Sequence, residues 1–338
     1  MDPAAHPDDT ATRSGAMRPE TRGLLLGLIG VAVFSLTLPM TRLAVVDLDP
    51  VWIGLTRALL AALPAAAWLA WVGAPRPSRE MLPRLAIVAG GVIVGFPTLT
   101  SVAMRHVDAS HGAVVLGVLP LATALAGAWL AGERPSRSYW AFAVLGAGLV
   151  CAFALRAGGG RPQPADGLLV LAVIAAAIGY AEGARVSQKL GGPQTICWTL
   201  VYAAPFLAPV VAWLSWVHGV EARPSAWLGF AYVTLFSQLL GFFAWYKALA
   251  IGGIARVSQV QLLQTFMTLG FAAVVAGERP TLATWAFAAA VVAVVAAQRA
   301  SAIAFLPRGG STVAAATPPA VSPAPAQARP AIPTDPDQ

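Results

Sequence analysis

Ala131–Pro135 reads AGERP, and Ala276–Pro280 reads AGERP again. Each copy is followed by WAFA, at Trp140–Ala143 and at Trp285–Ala288. One offset separates both pairs, 276 − 131 = 285 − 140 = 145 residues. Two separated motifs that keep one spacing mark a duplicated unit rather than a chance match. The chain around both copies is so apolar that the duplicated unit is a block of membrane helices.

Composition supports this. Of 338 residues, 57% are hydrophobic and 11% charged, with a mean hydropathy of +0.70. Soluble domains carry roughly 25% charge, so a soluble globular class is excluded. Apolar runs recur along the chain, each long enough for the ~20 residues that cross ~30 Å of hydrocarbon. The net charge of +7 does not indicate a nucleic-acid partner, because the arginines stand singly between apolar runs, as membrane flanks do. Cys151 and Cys197 both lie inside apolar runs and read as packing residues, with no CxxC pair.

Ten spans are predicted, over 22–41, 50–72, 83–104, 109–131, 138–156, 167–188, 194–217, 226–248, 254–276 and 281–299. Turn chemistry separates them, as at Asp49-Pro50, Gly191–Pro193 and Gly277–Pro280. The expected organisation is a disordered tail over 1–21, a first repeat over 22–157, a linker over 158–166 and a second repeat over 167–299. A Pro/Ala-rich tail over 307–338 is too poor in large apolar residues to fold. Met1–Glu20 is polar and acidic, which is no signal peptide, so the first span is expected to stay in the chain.

Five spans per repeat is an odd number, so the second copy is expected to be inverted in the bilayer. With the N-terminus cytoplasmic, the inner loops and helix ends hold Arg76, Arg79, Arg84, Arg134, Arg137, Arg185, Lys189, Lys247 and Arg256. The outer ones hold fewer basic residues, among them Arg42, Arg105 and Arg223. The excess places both termini on the cytoplasmic side of a bacterial-type inner membrane. Glu133 and Glu278 then close corresponding helices at opposite faces.

This pattern resembles the EamA family of the drug/metabolite transporter superfamily. The motifs that carry the resemblance are Gly132-Glu133-Arg134 and Gly277-Glu278-Arg279, each after an apolar helix. Pro120 stands midway along the first such helix, whereas Thr265, 145 residues on, occupies the second. The second half therefore departs from the family pattern and lacks the kink that Pro120 can introduce. The resemblance implies a central cavity built mainly from the first, third, fourth, sixth, eighth and ninth helices, with the fifth and tenth peripheral. It also implies export of amino acids or related metabolites.

Polar groups inside a membrane are costly, which makes them candidates for function. Arg57 lies seven residues into the second span, about 10 Å below its start at helical rise. It can bind an anionic group, fix a helix pair or snorkel to the outer interface. Glu182 lies deep in the sixth span with Arg185 three residues on, as a proton-linked carboxylate or as half of an interfacial ion pair. Nearby Tyr180 can hydrogen-bond a substrate or anchor the interface. Ser258, Gln261, Gln264, Thr265 and Thr268 share one face of the ninth span, with Gln259 beside them. They either line a wet cavity or bond neighbouring helices. Trp245 and Tyr246 can stack on a substrate or form an aromatic belt beside Lys247. Ser35 and Thr98 give local polarity to the first and third spans. His111, three residues after Asp108, reads as an exposed outer-loop pair. Glu133 and Glu278 read as structural helix-end groups, because Pro stops each helix there.

No HExxH, GxSxG, phosphate-binding loop or di-metal acidic pair occurs, so neither an enzyme nor a metal or cofactor is indicated. The expected partners are the lipid bilayer and a small-molecule substrate. The expected function is secondary transport, driven by the proton gradient if active. The alternative is a non-transporting sensor or scaffold on the same fold.

Overall fold

The computed structural model describes residues 19–130, 137–252, 257 and 260–304. The tails, Glu133, Ser258 and Gln259 lie outside these residues. Among the described residues every regular element is a helix. Eight are long and apolar enough to cross a bilayer: α1 (Thr21–Ala44), α2 (Pro50–Trp71), α3 (Arg79–Ala103), α4 (Ala109–Leu130), α5 (Trp140–Ala157), α6 (Pro164–Leu190), α7 (Gly192–His218) and α8 (Pro224–Ala248). Two shorter apolar helices follow, α9 (Val260–Val275) and α10 (Leu282–Gln298).

Their ends follow from local chemistry. Pro50 opens α2 where its missing N–H costs nothing, and Asp49 Oδ1 accepts the Trp52 N–H at 2.8 Å. A single residue, Gly191, joins α6 to α7. Its φ of +89° is open to glycine and strained for any side chain. The α4 ladder is interrupted at Gly117 and Val118, just before Pro120, whereas Leu262–Val275 runs unbroken through Thr265. In the second half the corresponding turn falls earlier, at Val260 and Gln261.

Much of the packing follows an exchange rule. Replacing each helix by the one five places away turns one set of contacts into another. The α1–α8 contact becomes α6–α3, α4–α6 becomes α9–α1, and α2–α3 becomes α7–α8. The contacts α2–α7, α4–α9 and α5–α10 map onto themselves. The bundle centre thus belongs to both halves, and the α5–α10 pair lies to one side. Helices α3 and α6 meet at Gly91 and Gly179, where a methyl on Gly91 would lie 2.6 Å from the Ala175 carbonyl oxygen. Without a hydrophobic drive between helices in lipid, such close backbone contact supplies the packing.

Two corresponding helices share an irregularity. The ladder widens to a π-helix over Ala89–Gly95 in α3 and over Val233–Leu240 in α8. The starts differ by 233 − 89 = 144 and the ends by 240 − 95 = 145 residues. The duplication therefore extends to a backbone feature with no motif of its own. Such bulges recur at functional sites because they release carbonyls and re-aim side chains.

Helix-end contacts fall into two sets. One joins the segments after α1, α3, α5, α7 and α9. Arg223 holds Asp47 at 2.9 Å, Arg42 reaches Asp108 at 3.7 Å, and His111 meets Asp166 at 2.6 Å. In the same set, Glu278 accepts the N–H groups of Ala109 and Ser110 at 2.7 and 2.8 Å. The other set joins the start of α3 to the ends of α6 and α4. Glu182 takes Arg84 at 3.3 Å and Arg185 at 3.4 Å, and Arg185 also donates to the Leu130 carbonyl at 3.4 Å. The described ion pairs all fall within one set or the other.

Candidate functional site: a polar cavity between the two halves

A narrow cavity lined by side chains of both halves lies at the bundle centre. Helices α1, α2, α3, α4, α6, α8 and α9 contribute to its lining, while α5 and α10 contribute none. The expected set of six helices is present, and α2 joins them through Arg57. The apolar part includes Phe34, Phe96, Leu116 and Phe242. Pro120 and Thr265, the point where the halves diverge in sequence, both face it.

Arg57 is the one charged side chain lining the cavity among the described residues. It is 2% exposed, so it does not snorkel to an interface. Its Nη2 donates to Ser237 Oγ at 2.9 Å, and that oxygen lies 2.9 Å from Thr37 Oγ1. Nε and Nη1 are buried without a hydrogen-bond partner. Gln238, next to Ser237, donates from Nε2 to the Val92 carbonyl at 3.4 Å, which leaves its buried Oε1 unpaired. That amide orientation is fixed because a carbonyl can only accept.

Ser237 and Gln238 were not candidates in the sequence, although both face the cavity. They stand on the π-helical stretch of α8, where the residue phase shifts and a 3.6-residue wheel misplaces them. A glutamine in an apolar span was the available signal.

The other candidates divide. Gln261, Gln264, Thr265 and Tyr180 line the cavity. Thr268, one turn beyond Thr265, joins them. Ser35 does not. Its hydroxyl bonds back to the Val31 carbonyl at 2.7 Å and reaches the Gln264 carbonyl at 3.4 Å, tying α1 to α9. Thr98 packs against Gly54 at the α2–α3 crossing. Glu182 lies outside the lining, between its two arginines at the α3–α6 end contact.

Two sequence expectations are corrected. Trp245 and Tyr246 form no aromatic belt, since both are buried within the bundle. Trp245 meets Phe34 edge-on at 6.4 Å, behind the cavity wall. His111 does not pair with Asp108. Asp108 is extended, at φ −69° and ψ 154°, so the i, i+3 helical spacing does not apply across it. Its carboxylate turns to Arg42, and buried His111 turns to Asp166 of α6.

Glu278 acts as a cap for another helix. Its two oxygens accept the first N–H groups of α4, which have no partner inside their own helix. Among the described residues no group of three or more His, Cys, Asp or Glu side chains is placed to hold a metal ion.

Comparisons with known proteins match this architecture. The model of the "EamA-like transporter family" matches twice, over residues 21–154 and 163–297. The "Uncharacterized transporter YdeK" of Bacillus subtilis (strain 168) is 42% identical over 283 residues, covering 84% of this chain and 99% of that protein. A solved structure described as "Crystal structure of protein" superposes with a TM-score of 0.57 at 18% identity, over 85% of this chain and 97% of that one. That last likeness is one of fold alone. With two copies of the family model spanning both halves of an apolar helical bundle, the chain is a multi-pass membrane protein and belongs to the EamA-like transporter family.

Proposed function

We propose that this protein is a secondary transporter that exports small polar metabolites, such as amino acids, across the cell membrane by alternating access. The observation that carries the reading is the central cavity, where an arginine, three glutamines and several hydroxyls converge inside an apolar bundle. Such polarity at membrane depth is expensive unless a solute uses it. The cavity lies between the two halves, where rocking of one against the other exposes it to each side in turn.

In this reading ten helices cross the membrane, as repeats over 22–157 and 167–299 of opposite orientation, with both termini cytoplasmic. The exchange rule in packing supports the two-fold relation. The two sets of end contacts support alternation, because each set joins only segments that a ten-span chain places on one face. Export is what the family resemblance implies.

Purified protein in proteoliposomes, loaded with a panel of amino acids and related metabolites, tests the function. Counterflow of at least one solute is expected. Saturable binding with no flux for any solute would instead support a sensor or scaffold on the same fold.

A further inference from the structure

We infer that the transported solute carries a carboxylate that docks on Arg57, with a neighbouring hydroxyl or amino group donated to Gln238. This assignment rests on the transport reading of the cavity and names the chemistry it selects.

Charge is the first argument. The described lining holds one cation, Arg57, and no acid. A buried guanidinium without a counter-ion is costly, and a bound anion offsets that cost. Ser237 and Thr37 are neutral, so the protein supplies no counter-charge here. A cationic solute would meet uncompensated repulsion in a low-dielectric site.

Geometry is the second argument. Nε and Nη1 of Arg57 both lack partners. They lie on different edges of the guanidinium, and each can give a charge-assisted N–H to a carboxylate oxygen. Nη2 is already held by Ser237, which fixes the guanidinium and leaves the other two nitrogens to be satisfied.

An unpaired acceptor lies beside Ser237. Gln238 Oε1 follows Ser237 on the same π-helical stretch, and its amide is held by the Val92 carbonyl. Buried acceptors of this kind demand a donor. A donor on the carbon next to the carboxylate brings both groups of one small molecule to adjacent residues. Phe34, Phe96 and Phe242 give the rest of the wall an apolar surface for the remainder of the solute.

The test uses full-length purified protein and matched probes. Lactate and phenyllactate carry the proposed pair of groups. Lactamide and phenyllactamide keep shape and hydroxyl but lose the charge. Inorganic phosphate and choline complete the set. Affinity is read from ligand-dependent thermal stability. At least one acid should bind ten-fold or more tightly than its amide, the order expected of a charge-assisted pair. Choline should not bind.

Arg57→Gln should abolish the preference of acid over amide while the amide still binds, and Arg57→Lys should retain part of it. A merely structural arginine would not move this ratio. The inference is overturned if no acid binds, if acid and amide bind alike, if choline or phosphate binds more tightly than either acid, or if Arg57→Gln keeps the preference. Flux is measured separately on the same preparation. An acid preference without flux sinks the transport reading alone, whereas flux of neutral or cationic solutes with no acid preference sinks only this inference.

Discussion

Arg57 and Glu182 are both buried charges in the bundle, yet their surroundings give them opposite roles. Glu182 sits between two half-exposed arginines and is satisfied by the protein. Glu182→Gln should lower stability by on the order of 2 kcal/mol, by leaving Arg84 and Arg185 to repel each other. The melting temperature should fall while the cavity's binding selectivity stays unchanged. A loss of selectivity would mean that Glu182 acts on the solute. Glu278 is satisfied by backbone instead. Glu278→Ala strips two N–H groups of α4 of their acceptor and should cost about 1–2 kcal/mol, with Glu278→Gln intermediate. Thermal denaturation of the purified variants checks the order. At the surface, hydrogen bonds from Arg223 hold the Asp47 carboxyl below its usual range. Its contribution is therefore present above the unfolded carboxylate value of about 3.9 and is lost as pH falls through the lower folded value. Arg223 is exposed and Asp47 only half-buried, so solvent screening keeps the effect small. Melting temperatures of wild type and Asp47→Asn should differ near neutrality and converge in acid; a gap constant with pH counts against the pairing.

Among elements, α3 and α8 carry the site because each departs from regular helix at the same repeat position. The π-helical turns bring Val92 and Ser237–Gln238 to the cavity wall, and the Gln238 amide spans the two stretches. Helix α3 is placed by its crossing with α6. A side chain on Gly179 would meet the Val92 side chain at 2.8 Å and the Gly91 Cα at 3.1 Å. Gly179→Leu should therefore separate α3 from α6 at an overpacking cost of about 1–3 kcal/mol or more. It should also displace Val92 and free Gln238. Size-exclusion profiles of Gly179→Ala and Gly179→Leu should worsen with side-chain volume; equal profiles would mean that the crossing relaxes easily.

For the whole molecule, the proposed ten-span arrangement assigns the two sets of end contacts to two opposite faces. Labelling decides whether they face opposite sides of the membrane. After replacement of Cys151 and Cys197, a cysteine at Glu221 should react with an impermeant maleimide in intact cells. One at Ser78 should react only after permeabilisation. The reverse pattern would invert the orientation, and equal reactivity would contradict the alternation.

The duplicated AGERP and WAFA strings, the apolar runs and the spread of single arginines determined class, duplication and family, because those properties are written in local composition and spacing. The glutamine stripe on the ninth span and Arg57 were legible for the same reason, as polar groups where lipid tolerates few. Tertiary structure alone decided which polar groups share a space. Ser35 and Thr98 are as polar as Thr265 but bond or pack elsewhere. Ser237 and Gln238 are brought to Arg57 by a π-helical shift that no helical wheel anticipates. Whether Arg57 is satisfied depends on neighbours 180 residues away in the chain, and a buried charge becomes a binding group only when such neighbours leave part of it unpaired.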